Sequence, residues 1–184
     1  LTKLYKSSKN SKWLLTAEKL TKTVEKEFMH PESKMCYFTN EGNTLIARKM
    51  ELHDNVMPAS NSVMAKNFWI MGHYFKNENW IGYAQQMLAN TCEEMEGYGP
   101  GHSNWGILYL MELKGAVEIS CLEKLPNNLN KHPVYPPERV ILSYHPEISS
   151  EFSQGETGIY ICAKGSCFPP VSSEKEYLEL LNSL

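Results

Sequence analysis

This sequence predicts a mainly helical array of repeated hairpins, followed by a small α/β unit. Three observations carry that prediction. Apolar side chains recur at the helical period over residues 12–29, 60–76, 79–96 and 103–114. Two of these segments match one another at a single offset: Trp13, Ala17, Leu20 and Phe28 lie 67 residues before Trp80, Ala84, Met87 and Met95. Beyond residue 115 the helical period gives way to short β-type runs.

The elements follow in order. Over 12–29, Trp13, Ala17, Leu20, Val24 and Phe28 form one stripe, Ser11 is the expected cap, and His30-Pro31 stops the helix because proline disfavours helical geometry in the residue before it. Residues 35–50 read as a strand pair, Met35–Phe38 and Thr44–Ala47, around a turn at Asn40–Asn43. A second helix is predicted from Ser60 to Lys76 and a third from Asn79 to Glu96. Gly97-Tyr-Gly-Pro-Gly-His102 breaks the third, and a fourth runs from Ser103 to Lys114, ended by Gly115. Ala116–Cys121, Val140–Tyr144 and Gly158–Ala163 read as strands, the first set apart by the proline- and asparagine-rich stretch from Pro126 to Pro137. A helix from Ser173 to Leu184 closes the chain. Two regions result, 1–115 and 116–184. A fixed repeat of helical hairpins is the signature of toroids and solenoids, in which each unit leaves an apolar face for its neighbour to cover.

Composition bounds the function. With 42% hydrophobic and 21% charged residues over 184 positions, the chain can build its own core. A formal charge of −3 without a basic block offers nothing to nucleic acid, and no apolar run is long enough for a membrane helix. The opening Leu-Thr-Lys-Leu-Tyr, in place of Met, reads as a fragment or processed piece. Five cysteines, an odd and sparse number, point to reduced thiols and a cytoplasmic setting.

The densest chemistry lies in Arg48-Lys-Met-Glu-Leu-His-Asp-Asn-Val-Met-Pro-Ala-Ser-Asn-Ser62, which runs into the start of the second helix. Loops rich in polar groups at a helix mouth are common binding and catalytic sites. The competing reading is a helix cap, with Arg48 and Glu51 or Asp54 tied up in a salt bridge.

Three features together resemble the YyaL-type, or spermatogenesis-associated, thioredoxin-domain-containing proteins. They are Asp54-Asn-Val-Met-Pro58-Ala-Ser-Asn61-Ser62, the strand Ala116–Ser120, and Cys162-Ala-Lys-Gly-Ser-Cys167-Phe-Pro169. Asn55 and Ala59 depart from the glycine and serine of the family pattern, and His102-Ser-Asn104 from its proline-containing entry to the fourth helix. The resemblance implies the C-terminal portion of such a protein and part of an (α/α)6 toroid of the six-hairpin glycosidase or N-acylglucosamine 2-epimerase type. Such a piece needs completion by an N-terminal portion or by a second copy of itself. It also implies a carbohydrate-like ligand in a central funnel.

On that picture Arg48, Asn61, Ser62 and Trp69 are the candidate substrate-binding residues, and His53, His102, Glu51 and Asp54 the candidate catalytic ones. Histidines suit epimerisation because they titrate near neutral pH, and paired carboxylates suit glycoside cleavage. No cofactor is expected and no metal, because Cys162-x4-Cys167 lacks a second ligand pair; a reversible disulfide remains open there. The alternative to a sugar-transforming enzyme is a non-catalytic interaction module, whose polar residues serve internal caps and whose apolar surface faces a partner. His73, within an apolar-rich helix, reads as a satisfied, partly buried residue, and His132 and His145, each beside a proline, read as loop residues without a role.

Overall fold

The computed structural model describes residues 1–40, 42, 47–121, 134–143 and 158–184. Two compact units divide the chain, Leu1–Leu110 and Met111–Leu184. The predicted turn at 40–43 and the strand from Thr44 lie largely outside the described residues, as do His132, His145, Tyr144 and most of the proline-rich stretch.

The first unit is helical. α1 (Thr2–Ser8) and α2 (Ser11–Glu27) are followed by α3 (Ser60–Phe75), α4 (Glu78–Ala89) and α5 (Cys92–Gly97). A 3-10 turn at Gly99–His102 leads into α6 (Ser103–Lys114), whose last residues enter the second unit. The repeat seen in sequence is real in the connections. Lys9 and Lys76 each end a helix in the left-handed conformation, with φ of 58° and 51°. The next residues, Asn10 and Asn77, cap α2 and α4 by accepting main-chain N–H groups. The cap of α2 is therefore Asn10, not Ser11.

The faces of the matched helices differ. Trp80, Ala84 and Met87 are buried, whereas Leu20 is 55% exposed and α2 turns Leu14, Ala17 and Thr21 inward. Leu20, Val24 and Phe28 line, with Met64 and Met71 of α3, an apolar groove of about 440 Å³. Glu25 ties α2 to α4, accepting from Trp80 Nε1 at 2.8 Å and from the Tyr83 hydroxyl at 3.2 Å. Burial and that carboxylate push the Tyr83 phenol up. α3 is the central element, burying Ala65, Phe68, Trp69, Ile70, Met71 and Tyr74 on nearly every side. It meets α4 at Gly72, where a Cβ would lie 2.6 Å from Ile81 Cγ1.

The predicted third helix breaks after Ala89. Thr91, fully buried, turns its hydroxyl back to the Leu88 carbonyl, and the chain restarts as α5. The predicted strand pair does not form over 35–40 and 47–50: a single bridge joins Met29 to Cys36, and Phe38 N–H donates to Lys49 O.

The second unit is a mixed sheet under a helix. β1 (Val117–Cys121), β2 (Val140–Ser143), β3 (Ile159–Ala163) and β4 (Ser166–Cys167) lie in the order β2-β1-β3-β4. β1 and β2 are parallel, and the other pairs antiparallel. α7 (Glu174–Asn182), capped by Ser173, lays Tyr177 and Leu181 on a core of Val117, Ile119, Val140, Leu142, Ile159 and Ile161. Lys164 and Gly165, both at positive φ, turn β3 into β4. A disulfide joins the register partners Cys162 and Cys167, in place of the expected reduced thiols.

This architecture corrects the toroid expectation. Among the described residues there are seven α-helices, of which α1 has 7 residues and α5 has 6, and a four-stranded sheet occupies the second unit. A ring of six hairpins needs many more full-length helices than this chain supplies. Local recurrence of a cap and a tryptophan produced the toroid pattern in sequence. The same apolar period serves a small helical unit equally well.

Candidate functional site

The Arg48–Ser62 segment is consumed by the fold. Arg48 donates from Nε and Nη2 to Thr39 O, reaches Glu27 O, and stacks its guanidinium 3.9 Å from the centre of the Tyr37 ring. It forms no salt bridge to Glu51 or Asp54. Glu51 accepts from Ser60 N–H at 3.2 Å, at the first turn of α3. Asn61, fully buried, accepts from Cys36 N–H and donates to the carbonyls of Cys36 and Glu51. Trp69, a candidate substrate-binding residue, is 1% exposed, its ring tilted against that of His73 inside the unit. These residues hold the chain together.

Asp54 is the centre of the arrangement. One carboxylate oxygen accepts from Ala59 N–H at 2.8 Å and from the Ser62 hydroxyl at 2.6 Å; the other accepts from Asn104 N–H at 2.7 Å. Its own N–H donates to Gly101 O at 2.7 Å. Asn104 closes the loop by donating to the Ser62 hydroxyl, and Trp105 Nε1 donates to Leu52 O. A loop residue, the start of α3 and the start of α6 are thus locked by one buried carboxylate, which fixes the residues next to it in sequence.

Those neighbours are His53 and, just beyond Gly101, His102. Their rings lie 5.1 Å apart, edge to face. Glu94 of α5 stands between them: its Oε2 is 3.3 Å from His53 Nε2 and 3.6 Å from His102 Nε2. The three ligand atoms all fall within 4.8 Å of one another. His53 and Glu94 face solvent, with side chains 59% and 52% exposed, whereas the His102 side chain is 1% exposed.

The chemistry of His102 is set by its other nitrogen. Nδ1 lies 2.9 Å from Tyr98 O, and a carbonyl can only accept, so Nδ1 carries the proton. In the neutral ring this leaves a lone pair on Nε2, which is buried without a hydrogen-bond partner and faces a carboxylate oxygen. Two electron-rich atoms opposed in this way are reconciled by a cation between them, whether a proton on Nε2 or a metal ion. Ligand atoms about 2.1 Å from one tetrahedral metal lie roughly 3.4 Å apart, the spacing found on both sides of Glu94. A histidine that donates its second nitrogen to a backbone carbonyl is the usual form of a metal ligand.

Glu94 is the member that the sequence did not single out. It sits in Glu93-Glu94-Met95-Glu96, which reads as a solvated helix face. The usable signal was the following Gly97-Tyr-Gly-Pro-Gly run, which reverses the chain and returns His102 over α5. A cation cluster was also not expected. Elsewhere, burial pushes the Cys36 thiol up to about 11, while Cys92 is exposed. No family model, curated protein or solved structure matches this chain. No helix among the described residues is long and apolar enough to cross a membrane.

Proposed function

We propose that the first unit carries a divalent transition-metal centre on His53, Glu94 and His102, and that the protein acts through that ion. The observation that carries this reading is the buried, unpartnered Nε2 of His102 opposed to the Glu94 carboxylate, with the Nδ1 proton held by Tyr98. Two imidazoles and one carboxylate suit Zn²⁺ and similar ions, whereas Mg²⁺ and Ca²⁺ favour oxygen donors alone. Held by these three side chains, two of them exposed, such an ion would supply Lewis-acid chemistry: activation of a water for hydrolysis, or polarisation of a substrate carbonyl or hydroxyl. The carbohydrate-like ligand implied by the family resemblance is one substrate class for such an ion.

Titration with Co²⁺ tests the reading directly. A saturable visible absorption at one equivalent, competed by Zn²⁺ and lost in His102→Ala and Glu94→Gln, is the expected result. A chain that binds no Co²⁺ or Zn²⁺ more tightly than the two variants do overturns it.

A second reading, an interaction module without catalysis, is favoured by one observation. The polar groups of Glu51, Asp54, Asn61 and Ser62 are all spent on caps and internal hydrogen bonds. It predicts that the metal titration fails while the unit remains folded.

A further inference from the structure

The second unit holds a cavity of about 260 Å³ whose charged side chains are all basic. Arg139 forms its base, Lys114 and Lys164 its rim, and Ser166, Ser183 and Leu184 contribute to its walls. No Asp or Glu lines it among the described residues. Both lysines are exposed, but Arg139 is 2% exposed, an unusual position for a guanidinium.

The donors of Arg139 can be counted. Nη1 donates to Lys114 O at 3.2 Å and Gly115 O at 2.9 Å, and Nη2 donates to Leu184 O at 3.0 Å. A guanidinium has five N–H groups, so two remain: one on Nη2 and the one on Nε, which is buried without a partner. Nε and Nη2 share one edge of the planar fork, the edge that receives two oxygens of a carboxylate or phosphate. The carbonyls of Lys114 and Gly115 orient the group without neutralising it, and the Nε N–H is left buried without an acceptor, which is costly. Desolvation, unfavourable to the protonated guanidinium, is relieved by an anion.

We propose that this cavity binds a small oxyanion, with Arg139 as the two-pronged anchor and Lys114 and Lys164 drawing the anion in. Phosphate and carboxylate share that chemistry. The lysines lie where they attract charge over a distance, and the Ser166 hydroxyl adds a hydrogen bond to an oxygen that the fork leaves free.

Calorimetric titration of the full chain with inorganic phosphate and, separately, with acetate, at constant ionic strength set by chloride, tests this. Saturable binding of one anion at one equivalent is expected, and the tighter of the two identifies the source. The Lys114→Ala/Lys164→Ala double variant, altered only at exposed positions, is expected to bind about tenfold more weakly with unchanged circular dichroism. Arg139→Lys, if folded, keeps the charge but loses the fork, and is expected to bind more weakly still. Phosphate and acetate that bind no better than chloride overturn the proposal, and so does a double-lysine variant that binds as the natural chain does. The metal titration above reads the first unit, so the two results stand apart.

Discussion

Replacing Asp54 with alanine removes the carboxylate that joins three segments of the first unit. Three donors lose their acceptor: the N–H groups of Ala59 and Asn104, and the Ser62 hydroxyl. The hydroxyl keeps a second acceptor in Ala59 O at 2.9 Å, so the uncompensated loss is two main-chain N–H groups. A hydrogen bond to a charged group is worth about 1.5–3 kcal/mol, and both ends here are buried. Asp54 lies at the edge of the buried set, at 9% exposed, so water reaches part of the gap. The expected destabilisation is about 3–4 kcal/mol. All four tryptophans fall within residues 1–110, so urea unfolding followed by tryptophan fluorescence reads this unit. At an m-value of about 2 kcal/mol/M, the midpoint falls by about 1.5–2 M with the slope unchanged. Co²⁺ affinity should fall in the folded variant, because the residues beside both histidines lose their tether. Glu94→Gln, at an exposed position, should leave the unfolding free energy within about 0.5 kcal/mol of its starting value while removing Co²⁺ binding. A loss under about 1 kcal/mol for Asp54→Ala, or a loss of similar size for Glu94→Gln, refutes the reasoning.

Four further outcomes follow from particular contacts. Cys92 should react with iodoacetamide at pH 8 while Cys36 resists, because burial raises the Cys36 thiol from 9.0 to about 11 and keeps it protonated; equal labelling of the two, read by peptide mass spectrometry, counts against the burial. The sign of the linked stability is fixed: the unfolded thiol ionises first, so stability is level below pH 9.0 and falls towards pH 11, by at most roughly 2–3 kcal/mol, measured by urea unfolding across that range. Cys162→Ser/Cys167→Ser opens a short loop and should cost the second unit about 2 kcal/mol, seen as faster amide exchange at Ile161 and Phe168, with the tryptophan transition of the first unit unmoved. Gly72→Ala places a methyl 2.6 Å from Ile81 Cγ1 and 3.0 Å from Ile81 N, forcing α3 and α4 apart at a cost of about 1–3 kcal/mol in the same urea assay.

What could be read in the sequence was local. α3 and α6 begin at the predicted Ser60 and Ser103, and β1, β2 and β3 lie within the predicted runs, because period and caps act over a few residues. β4, with two residues, is too short to leave a pattern, and Thr91 breaks its helix through a hydroxyl contact that propensity does not register. Burial on α2 was misjudged because Leu20 continues an apolar stripe yet faces outward, and the stripe says which side is apolar, not what covers it. His53, Asp54 and His102 stood out as polar residues around helix starts, but their roles depend on which loop Asp54 binds. That is a long-range fact, carried by the hydrogen bond to Asn104. Arg48 and Asn61 drew attention for the same chemistry that makes them good internal ties.

The distance along the chain from His53 to His102 gives the proposed metal site a mechanical meaning. An ion held by both would act as a removable cross-link around a loop of about fifty residues, a closure that in a permanent bond stabilises by about 4 kcal/mol. That loop contains α3, α4 and α5, nearly half of the first unit. Folding would then be set partly by the free metal concentration, since only the folded chain brings the three ligands together. A chelator would loosen the whole helical unit, not only its surface, and the supply of metal would act as a control on how long the protein survives.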